Sequence, residues 1–205
     1  MKPNIIDRNI HRPKHLYFNN KINFITGRTY QSIKYFEQSD YKKLLCMVIN
    51  QSSENFEISI YGWVVLDNHY HLLIGIWDKK SNEFHPNQRF VFNSSDHSAK
   101  VEKNYSKYKL VEFIRKIHKD SARKLNMQDS EKGRIIWYQY WDRIIRTKKE
   151  FFGYLNYIHF NPIKHNKVKD FNNLAEYQYS SFIDFLKKYG FSWISDCYEK
   201  YSIAD

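Results

Sequence analysis

The chain has little cysteine and no long apolar run. Its 205 residues include two cysteines, Cys46 and Cys197, which lie far apart in the sequence. This excludes a disulfide framework and a cysteine-based zinc site, because both need several cysteines at close spacing. No apolar segment reaches the length of a membrane span, and residues 1–8 lack the apolar core of a signal peptide. We therefore expect a cytoplasmic protein without a membrane partner.

Acidic residues are too few to balance the basic ones. The sequence holds 33 Lys and Arg against 22 Asp and Glu, a formal net charge of +11. Such an excess is typical of proteins that bind nucleic acid or an anionic membrane. Aromatic residues make up 18% of the chain, and aromatics interleaved with Lys and Arg suit stacking on unpaired bases. The alternative to base stacking is that the aromatic residues form the core of a lysine-rich protein.

The hydrophobic periodicity predicts an α+β fold, an antiparallel sheet with helices packed on it. A chain of this length suits a single domain, which we place at 15–205 after a flexible basic leader at 1–14, with a polar loop insertion at about 78–106. We expect Ile58, Ile60 and Val64 to share one face of their strand, and Asp40 to cap the first helix. The predicted strands are at 15–30, 56–66, 69–77 and 134–146, and the predicted helices at 41–54, 107–126, 147–161 and 180–189.

Two histidines open the second strand of a predicted hairpin. In "WVVLDNHYHLLIGIW" two apolar runs flank the turn Asp67-Asn68. Because strand side chains alternate, His69 and His71 leave on the same face about 7 Å apart, whereas Tyr70 faces the other way. This spacing lets two imidazoles bind one divalent cation. The alternative is a solvated strand face that happens to carry two histidines.

A tyrosine and an asparagine lie one turn apart near the end of a predicted helix. Phe151, Tyr154, Leu155 and Ile158 form its packing stripe, and Tyr157 and Asn161 flank it. A phenol and a carboxamide at this offset can face one site, the phenol as a nucleophile and the amide oxygen as a neutral ligand. We expect Pro162 to end the helix there. Ordinary packing of Tyr157 is the alternative.

The two segments together resemble a known family. The runs "WVVLDNHYHLL" and "IIWYQYWDRIIRTKKEFFGYLNYIHFNPIKHNKV" are similar to the single-tyrosine transposases of the HUH nuclease superfamily, and most of all to the REP-associated tyrosine transposases. The resemblance spans about Lys14 to Phe182. It implies a ferredoxin-like HUH nuclease sandwich. One departure is Asp67, where relatives usually carry proline, and we expect it to make the turn less rigid without contacting a ligand.

The resemblance also implies a function. His69, His71 and Asn161 would hold Mg²⁺ or Mn²⁺, and Tyr157 would be the nucleophile of a single-stranded DNA endonuclease and strand transferase. The implied partner is DNA, single-stranded or in hairpins. The implied protein is a monomer or homodimer, prokaryotic and nucleoid-associated.

Three other classes share part of this pattern. A domesticated DNA-binding protein would keep the fold without transposition, and a rolling-circle initiator would share the chemistry, although no helicase motif is present. A metal-dependent hydrolase would need the histidines but not Tyr157. His159 and His165 are weak candidates for a general base. The basic faces of the helix at 107–126 suit either solvent or the DNA backbone.

Overall fold

The chain forms one four-stranded sheet with helices on both faces. The structure, a computed structural model, describes residues 21–77 and 103–201, with the backbone alone at 103–108. The leader at 1–14 and the stretch 78–102 of the insertion lie outside the described residues. The described strands and helices are β1 (Lys21–Thr29), α1 (Ser39–Asn55), β2 (Ile58–Val65), β3 (His69–Ile76), α2 (Lys103–Gln128), β4 (Trp137–Ile145), α3 (Lys148–Lys164) and α4 (Phe182–Lys200).

All strand pairs in the sheet are antiparallel, in the order β2-β3-β1-β4. With the chain order strand, helix, strand, strand, helix, strand, this is the ferredoxin-like arrangement. One face packs Ile25 and Leu72 against α1 and α2, and the opposite face packs Leu73 and Val64 against α3. The predicted α+β fold with an antiparallel sheet is confirmed.

A β-bulge in β2 makes one predicted strand face wrong. Ile58 and Ile60 lie in the core shared with α1 and α2, as predicted, but Val64 lies on the α3 side. The register between β2 and β3 shifts between Ile60 and Gly62. The extra residue reverses the alternation, so side chains after the bulge change face.

Three predicted helix ends are also wrong. Asp40 lies within the first turn of α1, whose cap position is Gln38. Pro162 lies inside α3, which continues to Lys164 because the amide of His165 still reaches the Asn161 carbonyl at 3.0 Å. Proline removes one helical hydrogen bond, and here the next turn forms without it. The last helix runs past 189 to Lys200, with a kink at Gly190 where φ is 79°.

A glycine lets α3 approach the sheet closely. A Cβ atom at Gly62 would lie 2.8 Å from Leu155 Cδ1 and 3.6 Å from Ile158 Cδ1. The first distance is far below van der Waals contact, so a side chain at position 62 would require the end of the Leu155 side chain to move. The start of α3 is fixed by Thr147, whose hydroxyl accepts a hydrogen bond from the Glu150 amide at 3.1 Å. Gly62 therefore leaves room for the Leu155 side chain of α3 against β2.

Candidate active site

His69 and His71 lie side by side beneath α3. Tyr70 and Leu72 belong to the core on the α1 and α2 side, so the histidines share the opposite face, as predicted. Their ring centroids are 5.0 Å apart. Both are buried, at 4% and 3% exposure, which excludes the solvated strand face considered as the alternative.

Each histidine is held through its Nδ1 atom. His69 Nδ1 lies 2.7 Å from Asn68 Oδ1, and His71 Nδ1 lies 2.8 Å from Thr26 Oγ1. An amide oxygen only accepts hydrogen bonds, so the proton of His69 resides on Nδ1 and leaves a lone pair on Nε2. Such a partner on the far nitrogen is what orients a metal-binding imidazole.

Asn161 adds a third polar atom to the histidine pair. Its side chain is 1% exposed, and its Nδ2 donates to the Tyr157 carbonyl at 3.3 Å. Within the described residues, Asn161 Oδ1 and His71 Nε2 are buried without a hydrogen-bond partner. An unpaired buried acceptor costs about 1–3 kcal/mol, so both atoms are candidates to contact a ligand.

The donor set fits a divalent metal through two imidazoles and one amide oxygen. Across the described residues, no group of three or more His, Cys, Asp or Glu side chains is arranged to hold a metal. As neutral imidazoles and a carboxamide, His69, His71 and Asn161 offer no negative charge. Imidazole and neutral oxygen ligands are compatible with Mn²⁺ or Mg²⁺, and a neutral site leaves the cation's charge available to a bound phosphate.

Burial keeps the two imidazoles neutral. The pKa of His69 is lowered to about 4, mainly by burial and in addition by the neighbouring His165 and Arg28, while the Asn161 amide and Asp67 oppose the shift. Burial likewise holds the pKa of His71 well below its usual value. A neutral imidazole is the form that binds a metal, so the histidines need not lose a proton at neutral pH.

Tyr157 projects from α3 toward the histidines and is only partly buried. Its ring lies edge-on to His71, with centroids 5.1 Å apart, and 5.8 Å from Phe24. Lys164 Nζ lies 5.0 Å from the centre of the phenol ring. The structure therefore brings together all four residues singled out in the sequence, with the phenol at the solvent-facing edge of the group.

A groove of about 270 Å³ opens beside Tyr157. Its walls include Lys164 and Tyr154 from α3 and Trp141 and Arg143 from β4. Tyr154 packs in the core as predicted, at 7% exposure, and also borders the groove. Sequence reasoning missed Trp141 and Arg143. The alternation along β4 was the available signal, but the pairing partner of that strand could not be known.

Asp67 is a buried ion-pair centre rather than a loose turn residue. It is 4% exposed, and its carboxylate pairs with Lys42 of α1 at 2.8 Å and with Lys167 after α3. Asn166, at a φ of 54°, allows the Lys167 amide to reach the Pro162 carbonyl at 2.8 Å, which turns the chain back toward the hairpin. We expected Asp67 to make the turn less rigid, and the sequence did not predict its ion pairs with these two lysines.

The other two histidines near the site have different surroundings. His159 is buried at 3% exposure, with Nε2 3.1 Å from Ser181 Oγ and its ring against Phe185, and burial lowers its pKa to about 3. These contacts make it a structural residue of the α3–α4 interface. His165 is exposed, with its ring centroid 4.7 Å from that of His69. Of the two base candidates, only His165 therefore borders the histidine pair.

The basic residues of α2 lie across the sheet from this site. α2 packs with α1 against Tyr70 and Leu72, whereas Tyr157 and the histidines occupy the α3 face. A DNA strand at the groove would meet Arg143 and Lys164 first. A backbone contact along α2 stays a prediction. None of the described helices is long and apolar enough to cross a membrane.

Comparisons of sequence and of fold with known proteins both find similar proteins. No protein-family model matches the chain. The chain is 23% identical over 145 residues to a curated protein of Haemophilus influenzae named as a REP-associated tyrosine transposase, covering 70% of each. A solved structure, a REP-associated tyrosine transposase bound to a REP hairpin, matches 89% of this chain and 88% of that one with a TM-score of 0.61 at 18% identity, which shows a shared fold. The predicted resemblance of this chain to the REP-associated tyrosine transposases is therefore confirmed.

Proposed function

We propose that this protein is a transposase that nicks single-stranded DNA and rejoins it through a 5′-phosphotyrosine intermediate, with a divalent metal. The observation that carries the proposal is the pair of buried unpartnered acceptors, His71 Nε2 and Asn161 Oδ1, in the group that also holds Tyr157. The curated relative is named as a transposase, and the solved relative is bound to a REP hairpin. DNA with hairpins and unpaired flanks is therefore the proposed substrate.

His69, His71 and Asn161 would hold Mg²⁺ or Mn²⁺. When bound, such an ion supplies Lewis-acid polarisation of the scissile phosphate. Thr26 and Asn68 orient the two imidazoles through Nδ1, so the ligand atoms are aligned before the metal arrives.

Tyr157 would perform the covalent step. Its phenol oxygen attacks phosphorus, an O–P bond forms, and the bond from phosphorus to the 3′ oxygen breaks. The phenol proton passes to solvent, and the departing 3′ oxygen takes up a proton to become a hydroxyl. Rejoining reverses these events when a second 3′ hydroxyl attacks the phosphotyrosine, so no nucleotide cofactor is consumed.

Arg143 and Lys164 would position the phosphate backbone in the groove beside Tyr157. Both are exposed. Exposed cations contact phosphates without reading sequence, so they suit alignment of the strand rather than choice of the cut site.

Trapping the covalent adduct tests this proposal. The protein is incubated with Mn²⁺ and a single-stranded hairpin oligonucleotide labelled on the 3′ side of the cut, and labelled protein is sought on a denaturing gel. Label on the protein is expected only with the 3′ fragment, because the 5′ phosphate is the attached group. Cleavage without an adduct would indicate attack by water. Hairpin binding with neither product would indicate a DNA-binding protein without transposition.

A further inference from the structure

Three exposed aromatic side chains form a row along the open edge of the sheet. They are Tyr30, Tyr138 and Trp141, which we call the aromatic row, with 36%, 54% and 40% of their surface exposed. The ring centroids are 6.4 Å apart between Tyr30 and Tyr138 and 6.5 Å apart between Tyr138 and Trp141. Large aromatic groups left exposed next to one another indicate a binding surface.

A bulge between β1 and β4 places the row on the same face as the active site. Gly27 pairs with Tyr140 but Thr29 pairs with Trp137, so β4 carries one extra residue here. Trp137 and Tyr140 consequently both face the α1 and α2 core. Tyr138 is turned by the same bulge toward the face that carries Trp141.

The row runs into the groove at Tyr157. Thr26 of β1 pairs with His71 on one side and with Trp141 on the other, so one line across the sheet leads from the metal site to the aromatic row. Thr26, Trp141 and Tyr157 line the same groove. A strand whose phosphate lies at Tyr157 would therefore have its next nucleotides over β1 and β4.

The charge around the row suits a nucleic acid strand. Arg143 and Lys164 border the groove beside Trp141, together with Asp142, and Arg28 of β1 is exposed. Aromatic platforms combined with a basic groove are the usual arrangement for binding unpaired bases. The ring planes are tilted by 47° and 46° to one another, so the three rings are separate platforms and not one stack.

We propose that the aromatic row binds the unpaired nucleotides of single-stranded DNA next to the phosphate at Tyr157, one base stacked on each ring. The inference rests on the proposed function for the identity of the strand. It adds a platform on β4 that holds the strand by stacking, whereas Arg143 and Lys164 hold it by charge.

Binding measurements with Tyr157→Phe as the parent avoid cleavage during the assay. The probe is fluorescein-labelled oligothymidylate, followed by anisotropy at fixed ionic strength. Trp141→Ala and Tyr138→Ala are each expected to weaken binding about 5- to 150-fold, the range measured for loss of one base–aromatic stack. Trp141→Phe should recover most of the affinity. Tyr189→Ala is the matched control, since Tyr189 is 39% exposed on α4, away from the row.

The salt dependence of binding separates stacking from charge. Trp141→Ala should lower affinity without changing the slope of log affinity against log salt, whereas Lys164→Met should reduce that slope. Affinity for blunt duplex should be unchanged in Trp141→Ala. Affinities of both alanine variants within twofold of the parent, with unchanged melting temperatures, would overturn the proposal.

Photocrosslinking tests the wild-type surface directly, so the result does not depend on how the variants fold. An oligonucleotide carrying 5-iodouracil should crosslink to Tyr138 or Trp141, and crosslinks found only elsewhere would overturn the proposal. The adduct assay keeps the two proposals separate. An adduct at Tyr157 without any effect of the row variants refutes only the row. If the row variants bind more weakly but the wild-type protein forms no adduct, only the covalent chemistry is refuted.

Discussion

The ring of Tyr157 stands edge-on to the ring of His71, with the planes at 74° and the centroids 5.1 Å apart. The contact joins the end of α3 to the start of β3. It places the proposed nucleophile at the open edge of the proposed metal site.

Replacing Tyr157 with phenylalanine should remove cleavage and the covalent adduct, because the reacting oxygen is lost and no other group replaces it. Melting temperature and oligonucleotide affinity should stay the same, since the ring and its contacts with His71 and Phe24 are kept. Adduct yield on a denaturing gel is the measurement. Tyr189→Phe, on α4, is the control and should retain full activity. An adduct that persists in Tyr157→Phe would assign the nucleophile to another residue.

The metal proposal predicts stabilisation by Mn²⁺ that depends on the ligands. At a hundredfold excess of ion over its dissociation constant, binding should add about 2.7 kcal/mol to the free energy of unfolding. This gain should vanish in His71→Ala and in Asn161→Ala. Because both side chains are buried, the variants should also be less stable without metal, so the quantity compared is the change on adding Mn²⁺.

His118→Gln is the matched control for the metal experiment, since His118 lies on the opposite side of the sheet against Tyr70 and Trp137. It should keep the full Mn²⁺ effect. Equal stabilisation of His71→Ala and the wild type would refute the ligand assignment.

The two ion pairs of Asp67 should contribute unequally to the free energy of unfolding. Asp67→Asn leaves Lys42 buried at 6% side-chain exposure without its counter-charge, which should cost about 3–5 kcal/mol of unfolding free energy. Lys167→Gln should cost only about 1 kcal/mol, because Asp67 keeps its pair with Lys42 and Lys167 is 28% exposed.

Denaturant titration of the two single variants and the double variant measures the coupling between Asp67 and Lys167. Lys167→Gln should also slow adduct formation more than it weakens DNA binding, since it loosens the link between the end of α3 and the hairpin that carries His69. A loss of DNA affinity with an unchanged rate of adduct formation would contradict this positioning role.

Stability should fall in mild acid because of His118. Its ring is stacked on Trp137 at 4.5 Å, with Nε2 3.0 Å from the Tyr70 hydroxyl, and burial lowers its pKa to about 3. In the unfolded chain a histidine has a pKa near 6.5, so below that pH the unfolded state binds the extra proton. The stabilisation is thus present above about pH 6.5 and is lost as pH falls toward 3.

For His118 alone the loss between pH 7 and pH 5 should be about 1–2 kcal/mol. His118→Gln keeps an acceptor for Tyr70 but does not titrate, so its stability should fall less steeply over this range. Urea unfolding at a series of pH values measures the difference. Parallel curves for the two proteins would show that His118 is not the titrating group.

The sequence by itself determined most of the secondary structure and the identity of the residues that meet in the candidate site. The alternation around His69 and His71 placed both on one face, and the helical spacing placed Tyr157 one turn from Asn161, because these relations depend only on local backbone geometry. The same local patterns predicted the α+β class. The local patterns failed at the bulge before Gly62, where one extra residue reverses the alternation of the strand, and at Pro162, which α3 contains without ending there.

The tertiary structure decided what lies around the site. The burial of His69 and His71, the pairing of β4 beside β1 and the ion pairs of Asp67 all join residues far apart in the sequence, and no local pattern encodes such contacts. Trp141 and Arg143 became groove residues only because β4 pairs next to β1, on the side of the sheet that α3 leaves open. Long-range packing sets these relations, because each depends on which segments, distant in the sequence, bury their apolar surfaces against one another.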